Sequence, residues 1–268
     1  MLNFMENIEA LPVSDWTTNF VSWLTDTFSF LFDPIKDGLG DLMDVITSGL
    51  DAIPPVIFIL LVAILAFFMT GRKYGLAVFS IVGLLFIWNQ GLWDQLIDTF
   101  TLVLTSSILC IIIGIPIGIL MSKSKIAQTI ITPILDFMQT MPAFVYLIPA
   151  VAFFSIGVVP GIFASLIFAT PPTVRFTNLG IRQVSEELVE AADAFGSTGP
   201  QKLFKVELPM AKYTIMAGIN QTVMLALSMV VIASMIGAPG LGREVLSSLQ
   251  RAQVGPGFVA GLDRKSVV

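Results

Sequence analysis

The sequence predicts an all-α polytopic membrane protein. Of its 268 residues, 55% are hydrophobic and only 12% are charged, and the mean hydropathy is +0.88. Because a typical soluble chain carries about 25% charged residues, this chain has too few to cover a water-facing surface. Its apolar residues also fall into blocks close to the roughly 20 residues that a helix needs to cross a bilayer.

Residues 1–52 are predicted to form an amphipathic extension that stays with the mature protein. They contain nine acidic residues against Lys36 alone, whereas a signal peptide begins with basic residues. Apolar residues recur at helical spacing on both sides of Pro34, which predicts two amphipathic helices. Such helices lie at the membrane interface or pack on the protein's own spans, and the sequence leaves both alternatives open.

Six apolar runs are predicted to cross the membrane within a permease-like domain at 53–262. They lie at about 53–70, 74–89, 99–121, 133–155, 158–174 and 213–236. Loops that carry Lys and Arg remain in the cytoplasm, and these residues cluster after the first, third and fifth runs. This pattern predicts an N-terminus outside the cell. Arg243 and Arg251, after the last run, are exceptions to the rule.

Glycine and proline interrupt several of these runs. The clearest positions are Gly114 to Gly118 in the third run, Pro142 and Pro149 in the fourth, and Pro171-Pro172 at the end of the fifth. Proline removes a backbone donor, so the freed carbonyls need partners from neighbouring helices or a water-lined cavity. The pattern therefore predicts helix breaks around a pathway.

The segment at about 175–212 is predicted to be a cytoplasmic loop with two short amphipathic helices. Ser185 can cap the first helix, and Gly196 can end it in the left-handed conformation. A second helix begins near Pro200 and is expected to stop at Leu208-Pro209. Helices this short cannot span a bilayer, so their apolar faces need another surface to bury against.

This loop carries a family resemblance. Its pattern of Glu190-Ala191-Ala192, Gly196, Val206 and Leu208-Pro209 resembles the EAA signature of permease subunits of binding-protein-dependent ABC importers. The family usually has Ile where Val206 stands. The resemblance implies that Glu190, Ala191, Ala192, Gly196, Leu208 and Pro209 form a coupling loop that docks into a separate ATPase.

A longer stretch is similar to one branch of that superfamily, the permeases for glycine betaine, proline and related osmoprotectants. The similarity covers about residues 50–262 and includes the blocks at 136–149, 194–198, 218–221 and 225–233. It implies a type I, MetI-like helix bundle in the cell membrane of a prokaryote. The partners it implies are an ABC ATPase subunit, an extracellular solute-binding protein, a second permease copy and membrane lipid; no nucleic acid is expected.

Candidate residues for a translocation path lie in the fourth and sixth runs. Aromatic faces bind quaternary ammonium groups through cation–π attraction, and polar side chains in hydrocarbon are costly unless they face a cavity or another helix. The residues selected on these grounds are Gln139, Pro142, Phe144, Tyr146, Asn220 and Gln221. Helix packing and interhelical hydrogen bonding remain alternatives for all of them.

The chain is predicted to be a transport subunit and not an enzyme. It lacks His and has a single Cys, Cys110, which excludes imidazole catalysis, disulfides and thiolate zinc sites. It also has no Gly-x-x-x-x-Gly-Lys-Ser/Thr loop, so no cofactor is expected in this chain, and ATP with Mg²⁺ belongs to the partner. Importers of choline, carnitine or another amine remain alternatives. An ion-coupled secondary transporter or channel would need intramembrane carboxylates, and Asp136 is the only one placed within a predicted span.

Residues 263–268 form a short charged tail. They interrupt the apolar stretch at 255–262 after too few residues for a helix that crosses a bilayer. Since relatives usually continue through a further span, the sequence predicts that this final span is missing.

Overall fold

The computed structural model describes residues 13–72, 74–252, 255 and 257–261, and the chain in these ranges is predominantly helical. The tail at 263–268 and the first residues of the N-terminal extension lie outside them. In chain order the helices are α1 (Val13–Thr27), α2 (Ser29–Asp51), α3 (Pro55–Met69), α4 (Tyr74–Asn89), α5 (Trp93–Lys123), α6 (Lys125–Thr140), α7 (Leu147–Phe154), α8 (Val158–Arg182), α9 (Glu186–Ala194), α10 (Gly199–Lys202), α11 (Leu208–Ser234) and α12 (Leu241–Gln250).

Helices α5, α8 and α11 form the centre of the bundle, with α8 between the other two. The largest buried cluster joins Leu102 and Cys110 of α5, Ile162 and Ala169 of α8, and Val230 of α11. Lipid offers no hydrophobic driving force for helix association, so close packing and hydrogen bonds hold such bundles together.

Glycines let the backbones of the central helices approach closely. A Cβ on Gly118 would lie 2.5 Å from Thr177 Cβ and 2.7 Å from the Val174 carbonyl oxygen. The Gly114–Gly118 pair therefore lies where α8 packs on α5. The predicted break at this position is wrong, because α5 continues through Pro116 without interruption.

A buried hydroxyl pair joins α8 to α11. Thr222 Oγ1 donates to the Ala169 carbonyl oxygen at 2.8 Å and lies 2.7 Å from Thr173 Oγ1. Since Thr222 has a single proton, Thr173 is the donor in the second bond. Hydrogen bonds across helices are a recognised source of cohesion within a membrane.

Three helical segments are long and apolar enough to cross a membrane, among the described residues: α5, α8 and the stretch Gly199–Ser234 that ends with α11. They correspond to the third, fifth and sixth predicted runs. The fifth run was expected to end near residue 174, but α8 continues through Pro171-Pro172 to Arg182. Both prolines are buried in the packed face of α8, so they do not end it.

The fourth predicted run is not a straight span. Its two halves, Lys125–Thr140 and Ala143–Phe154, meet at 106°, with the break at Met141-Pro142 as the prolines indicated. The first two runs form α3 and α4, of 15 and 16 residues, which pack mainly on each other. Both are shorter than the roughly 20 residues of an ordinary span. For these two segments, the structure therefore confirms apolar helices but not helices of full spanning length.

The amphipathic extension forms two helices, but they separate at Phe28 and not at Pro34. Pro34 lies inside α2, near its start. Helix α2 packs on the protein itself: Met43 belongs to the main buried cluster, and the ring of Phe32 stacks on Phe153 at 4.6 Å. Helix α1 instead exposes Trp16, Phe20 and Trp23, as an interfacial helix does.

The bundle has two distinct ends. At one end, which we call the Trp93 end, the Leu241 amide donates to Thr99 Oγ1, the Gly157 amide donates to the Ile236 carbonyl, and Lys36 donates to Ser155 Oγ. The opposite end, which we call the Lys123 end, contains Lys123 and the C-terminus of α8. The segment 183–207 lies at the Lys123 end.

Candidate functional site

The segment 183–207 folds as two short helices joined at a glycine. Helix α9 begins at Glu186 after Ser185, as predicted, although the Ser185 hydroxyl makes no capping hydrogen bond. Glu186 and Glu187 occupy its first turn, where negative charge is favourable to the helix dipole.

Gly196 ends α9 in the left-handed conformation, with φ of +75°, which confirms the prediction. The Ser197 amide donates to the Ala192 carbonyl at 3.0 Å, and the Gly196 amide donates to the Asp193 carbonyl at 2.9 Å. This pair of bonds is the Schellman motif, which satisfies carbonyls at a helix C-terminus.

The two short helices are tied together electrostatically. Lys202 Nζ lies 2.8 Å from both carboxylate oxygens of Asp193, and the Thr198 amide donates to Gln201 Oε1 at 2.9 Å. Because the ion pair joins the last turns of α9 and α10, the segment is held as one unit across Gly196.

The predicted stop at Leu208-Pro209 is wrong. A π-helical turn at Leu203–Glu207 links α10 directly to α11, and Pro209 lies in the first turn of α11. In this turn the Leu208 amide reaches back to the Leu203 carbonyl. The π-helical turn accommodates Pro209, which has no amide proton to donate to the preceding turn.

An apolar surface remains uncovered on this segment. Phe195 is 92% exposed, and Leu188 and Phe204 are also exposed. Of the signature residues, Glu190 and Ala191 lie exposed on α9, while Ala192 is buried. Exposed aromatic and aliphatic residues clustered on a polar helical pair are typical of a protein interaction site.

Glu207 connects the segment to the bundle, a contact that was not predicted because no local pattern marks it. It is only 4% exposed and forms an ion pair with Lys123 at the end of α5. Arg182 reinforces the junction by donating to the Met121 carbonyl at 2.9 Å. Apolar packing adds to this junction. A buried cluster contacts Leu203 and Leu208, and its members are Ile181, Ala211 and Ile215. The segment is therefore in direct contact with the ends of α5 and α8.

The path candidates of the fourth run separate into different environments. Tyr146 is buried, and its hydroxyl donates to the Met138 carbonyl at 2.6 Å. Pro142 has no amide proton to offer that carbonyl, so Tyr146 replaces the missing donor at the bend. Phe144 is 58% exposed, and Gln139 and Pro142 are exposed as well.

Asn220 lies at a cavity of about 370 Å³ between α5 and α11, whereas Gln221 does not line it. The cavity is largely apolar, and its other contributors include Phe100, Ser107 and Met216. Phe100 was not selected from the sequence because it lies near the start of α5, far along the chain from the aromatic cluster of the fourth run. The structure thus places a different aromatic residue beside a path candidate.

Asp136 is paired and accessible. Its carboxylate lies 2.5 Å from Arg175 Nη2, and both side chains are about half exposed. Asp136 is also not the only carboxylate within a long apolar helix, because α5 begins at Trp93 and therefore includes Asp94 and Asp98. Within the described residues, no group of three or more His, Cys, Asp or Glu side chains is placed to hold a metal ion.

Comparison with known proteins identifies relatives over most of the chain. Residues 111–262 match the family described as "Binding-protein-dependent transport system inner membrane component". The chain is 58% identical to the glycine betaine/carnitine transport permease protein GbuB of Listeria monocytogenes serotype 1/2a (strain 10403S), covering 96% of this chain and 92% of that one. It is 52% identical to the glycine betaine transport system permease protein OpuAB of Bacillus subtilis (strain 168), covering 96% and 91%.

A solved structure has the same fold. The inward-facing MetNI methionine ABC transporter matches with a TM-score of 0.55 and 20% sequence identity, covering 64% of this chain and 93% of that one. At this identity the likeness concerns the fold alone, and it agrees with the type I bundle predicted from the sequence.

Proposed function

Because the chain belongs to the family of binding-protein-dependent transport system inner membrane components, we propose that it is the permease subunit of an ATP-driven importer of glycine betaine and related compatible solutes. The observation that carries the solute class is the identity of 58% and 52% to two permeases named for glycine betaine, each over more than nine-tenths of this chain.

The segment 183–207 is the proposed docking site for a separate ATPase subunit. Its exposed Phe195, Leu188 and Phe204 supply an apolar contact surface, and the Lys123–Glu207 pair connects that surface to the membrane helices. ATP and Mg²⁺ would bind the partner, since the chain contains no phosphate-binding loop. Glu190, Ala191, Ala192, Gly196, Leu208 and Pro209 carry the coupling in this proposal.

The proposed orientation places the Lys123 end in the cytoplasm. Lys123, Lys125, Arg182, Lys202 and Lys205 lie in or next to segments at that end, and positive residues of short loops remain cytoplasmic. The N-terminal extension and α12 then lie outside, where an extracellular solute-binding protein would deliver its ligand. A second permease copy is expected to complete the translocation path.

Reconstitution tests this function directly. The chain is purified with its cognate ATPase and binding protein and placed in proteoliposomes, and uptake of labelled glycine betaine is measured with and without internal ATP. We expect ATP-dependent uptake that unlabelled glycine betaine inhibits most strongly in a panel with proline, carnitine and choline. Uptake that persists without the ATPase subunit would identify a secondary transporter, and stronger inhibition by choline would reassign the solute.

A further inference from the structure

A polar cavity lies at the Trp93 end of the bundle, between the first turns of α5 and one face of α12. Its volume is about 450 Å³, within the range of about 300–1,000 Å³ of small-molecule sites. The lining side chains that carry the argument are Asp94, Gln95, Asp98, Arg243, Ser247 and Arg251.

The two walls of this cavity differ in charge, because both guanidinium groups lie on one of them. Asp94 and Asp98 are four residues apart on α5 and so project from the same face. Arg243 and Ser247 follow the same four-residue spacing on α12, and Arg251 comes four residues later, directly after the helix ends at Gln250. One wall therefore presents two carboxylates, and the other presents two guanidinium groups together with the Glu244 carboxylate.

These charges do not neutralise each other. Within the described part of the chain, no ion pair or hydrogen bond engages the side chain of Asp94, Asp98, Arg243 or Arg251. The Gln95 side chain adds a buried Oε1 atom without a hydrogen-bond partner. Buried polar atoms are nearly always bonded, so an unpartnered atom in the wall of an open cavity indicates a place for a polar ligand or water.

We propose that this cavity is an outer receiving site for a small zwitterion, whose carboxylate pairs with Arg243 and Arg251 and whose ammonium group faces Asp94 and Asp98. The site would hold solute between its release from the binding protein and its entry into the bundle. This inference rests on the proposed function for the solute and on the proposed orientation for the outward position of the cavity.

Thr99 and Gly240 set the distance between the two walls. Thr99 Oγ1 accepts the Leu241 amide at 2.8 Å, which fixes the start of α12 on α5. A Cβ at Gly240 would come within 2.6 Å of Thr99 Oγ1, so only glycine allows this approach. The close contact between Gly240 and Thr99 therefore fixes the distance between the two walls of the cavity.

Thiol protection tests the site in the complete complex with its ATPase and binding protein. Ser247→Cys introduces a reactive group into the cavity, and Cys110 stays in place because it is fully buried. The rate of modification by a membrane-impermeant maleimide is measured with and without free glycine betaine. At a concentration of about twice the dissociation constant, bound solute should slow modification about threefold.

Matched variants define what the cavity recognises. Arg243→Gln with Arg251→Gln, and separately Asp94→Asn with Asp98→Asn, should each remove the protection. Arg72→Gln and Asp41→Asn, both exposed and outside the cavity, should leave it intact. Choline, which has the ammonium group but no carboxylate, should protect less than glycine betaine.

The outcomes separate this inference from the proposed function. Ser48→Cys, at an exposed position of α2 that does not line the cavity, serves as the reference. Equal protection at positions 48 and 247 would overturn the site. If the solute-free binding protein protects Ser247→Cys from modification and free glycine betaine does not, the cavity is a docking surface for the binding protein. That result would also overturn the proposed solute site. Normal glycine betaine uptake with no protection rejects the cavity alone, whereas protection without uptake rejects the proposed function alone.

Discussion

At the scale of single residues, Tyr146 and Gly196 have roles that the geometry defines closely. Tyr146 supplies a hydrogen-bond donor where Pro142 cannot, and Gly196 adopts a backbone conformation that side chains disfavour. Both residues were singled out from the sequence; for Tyr146 the structure adds a hydrogen bond at the bend, and its place in the translocation path stays a prediction.

Tyr146→Phe should destabilise the bend while preserving the ring. Loss of the bond to the Met138 carbonyl should cost about 1 kcal/mol, which for a chain of this size lowers Tm by about 2–4 °C. The measurement is thermal unfolding of the purified complex in detergent. Tyr213→Phe is the control because Tyr213 is 77% exposed, and equal Tm values for the two variants would contradict the assigned bond.

Gly196→Val should uncouple uptake from ATP hydrolysis with normal membrane abundance. A side chain in the left-handed region costs about 1–2 kcal/mol, more for a β-branched residue, so α9 should end differently and lose its position. Gly199→Val is the matched control, since a Cβ there also meets nothing within 4 Å but the backbone has no positive φ. If both variants import solute normally, the geometry of Gly196 is not needed for coupling.

At the scale of elements, the junction of the 183–207 segment with α5 combines a buried carboxylate with a π-helical turn. The turn at Leu203–Glu207 absorbs Pro209 and directs Glu207 toward Lys123. A direct connection of this kind suits the proposed coupling of the segment to the ends of α5 and α8.

Lys123→Glu should disrupt this junction, and adding Glu207→Lys should restore part of the loss. Two facing carboxylates, one of them buried, should lower the free energy of unfolding by about 1–3 kcal/mol. Breaking a fully buried ion pair costs roughly 3–5 kcal/mol, and the loss here should be smaller because Lys123 is partly exposed. The coupling energy is the effect of the double variant minus the effects of Lys123→Glu and Glu207→Lys alone, each followed by Tm and by uptake per ATP hydrolysed.

The Asp193–Lys202 pair provides the comparison for that cycle. Asp193 is largely exposed, so the same charge exchange there should change stability by less than about 1 kcal/mol. If the two cycles give the same coupling energy, burial of Glu207 contributes nothing to the junction.

Gly118→Ala should loosen the packing of α8 on α5. The added methyl group would lie 2.5 Å from Thr177 Cβ, and overpacking of this kind costs about 1–3 kcal/mol. Gly75→Ala in α4 adds the same atom where nothing lies within 4 Å, and it should leave Tm unchanged or slightly raised. Equal Tm values for the two variants would show that α8 can shift to accommodate the methyl group.

The sequence predicted local features better than the relations between distant ones. The positive φ of Gly196 and the bend at Pro142 follow from neighbouring residues, and the long apolar helices follow from composition. The continuity of α5 through Pro116 and of α8 through Pro171 could not be predicted, because packing between helices decides whether a proline ends one. For the same reason, the partnership of Lys123 and Glu207, 84 residues apart, left no sign in the local pattern.

At the scale of the whole molecule, charged groups are distributed differently between the two ends of the bundle, and this distribution supports the proposed orientation. The 183–207 segment and Lys123 lie at one end, while Asp94, Asp98 and α12 lie at the other. Arg243 and Arg251, which conflicted with the predicted orientation, line the same cavity as these two carboxylates. The nearby carboxylates therefore offset the positive charge that these two arginines add at the end of the bundle that is proposed to lie outside.

Limited trypsin digestion should report this orientation. Exposed Lys205 should be cut in inside-out vesicles and protected in right-side-out vesicles, and Arg251 should show the reverse. Fragments are identified by mass spectrometry, and saturating ATPase subunit should protect the Lys205 site. Cleavage at Lys205 from the outer face would invert the assignment of both ends.

The position of α8 between α5 and α11 has a consequence for biosynthesis. Helix α8 is rich in Ser, Thr, Gly and Pro, is the least apolar of the three long segments, and has two-thirds of its most apolar stretch buried inside the bundle. When it leaves the ribosome, α5 is already made but α11 is not, so half of its packing partners do not yet exist. We expect lipid to retain this helix less firmly than the more apolar α5 and α11. We therefore expect its stable integration to depend on a segment that is translated later. Truncation before α11 should leave α8 associated with the translocon and susceptible to proteolysis.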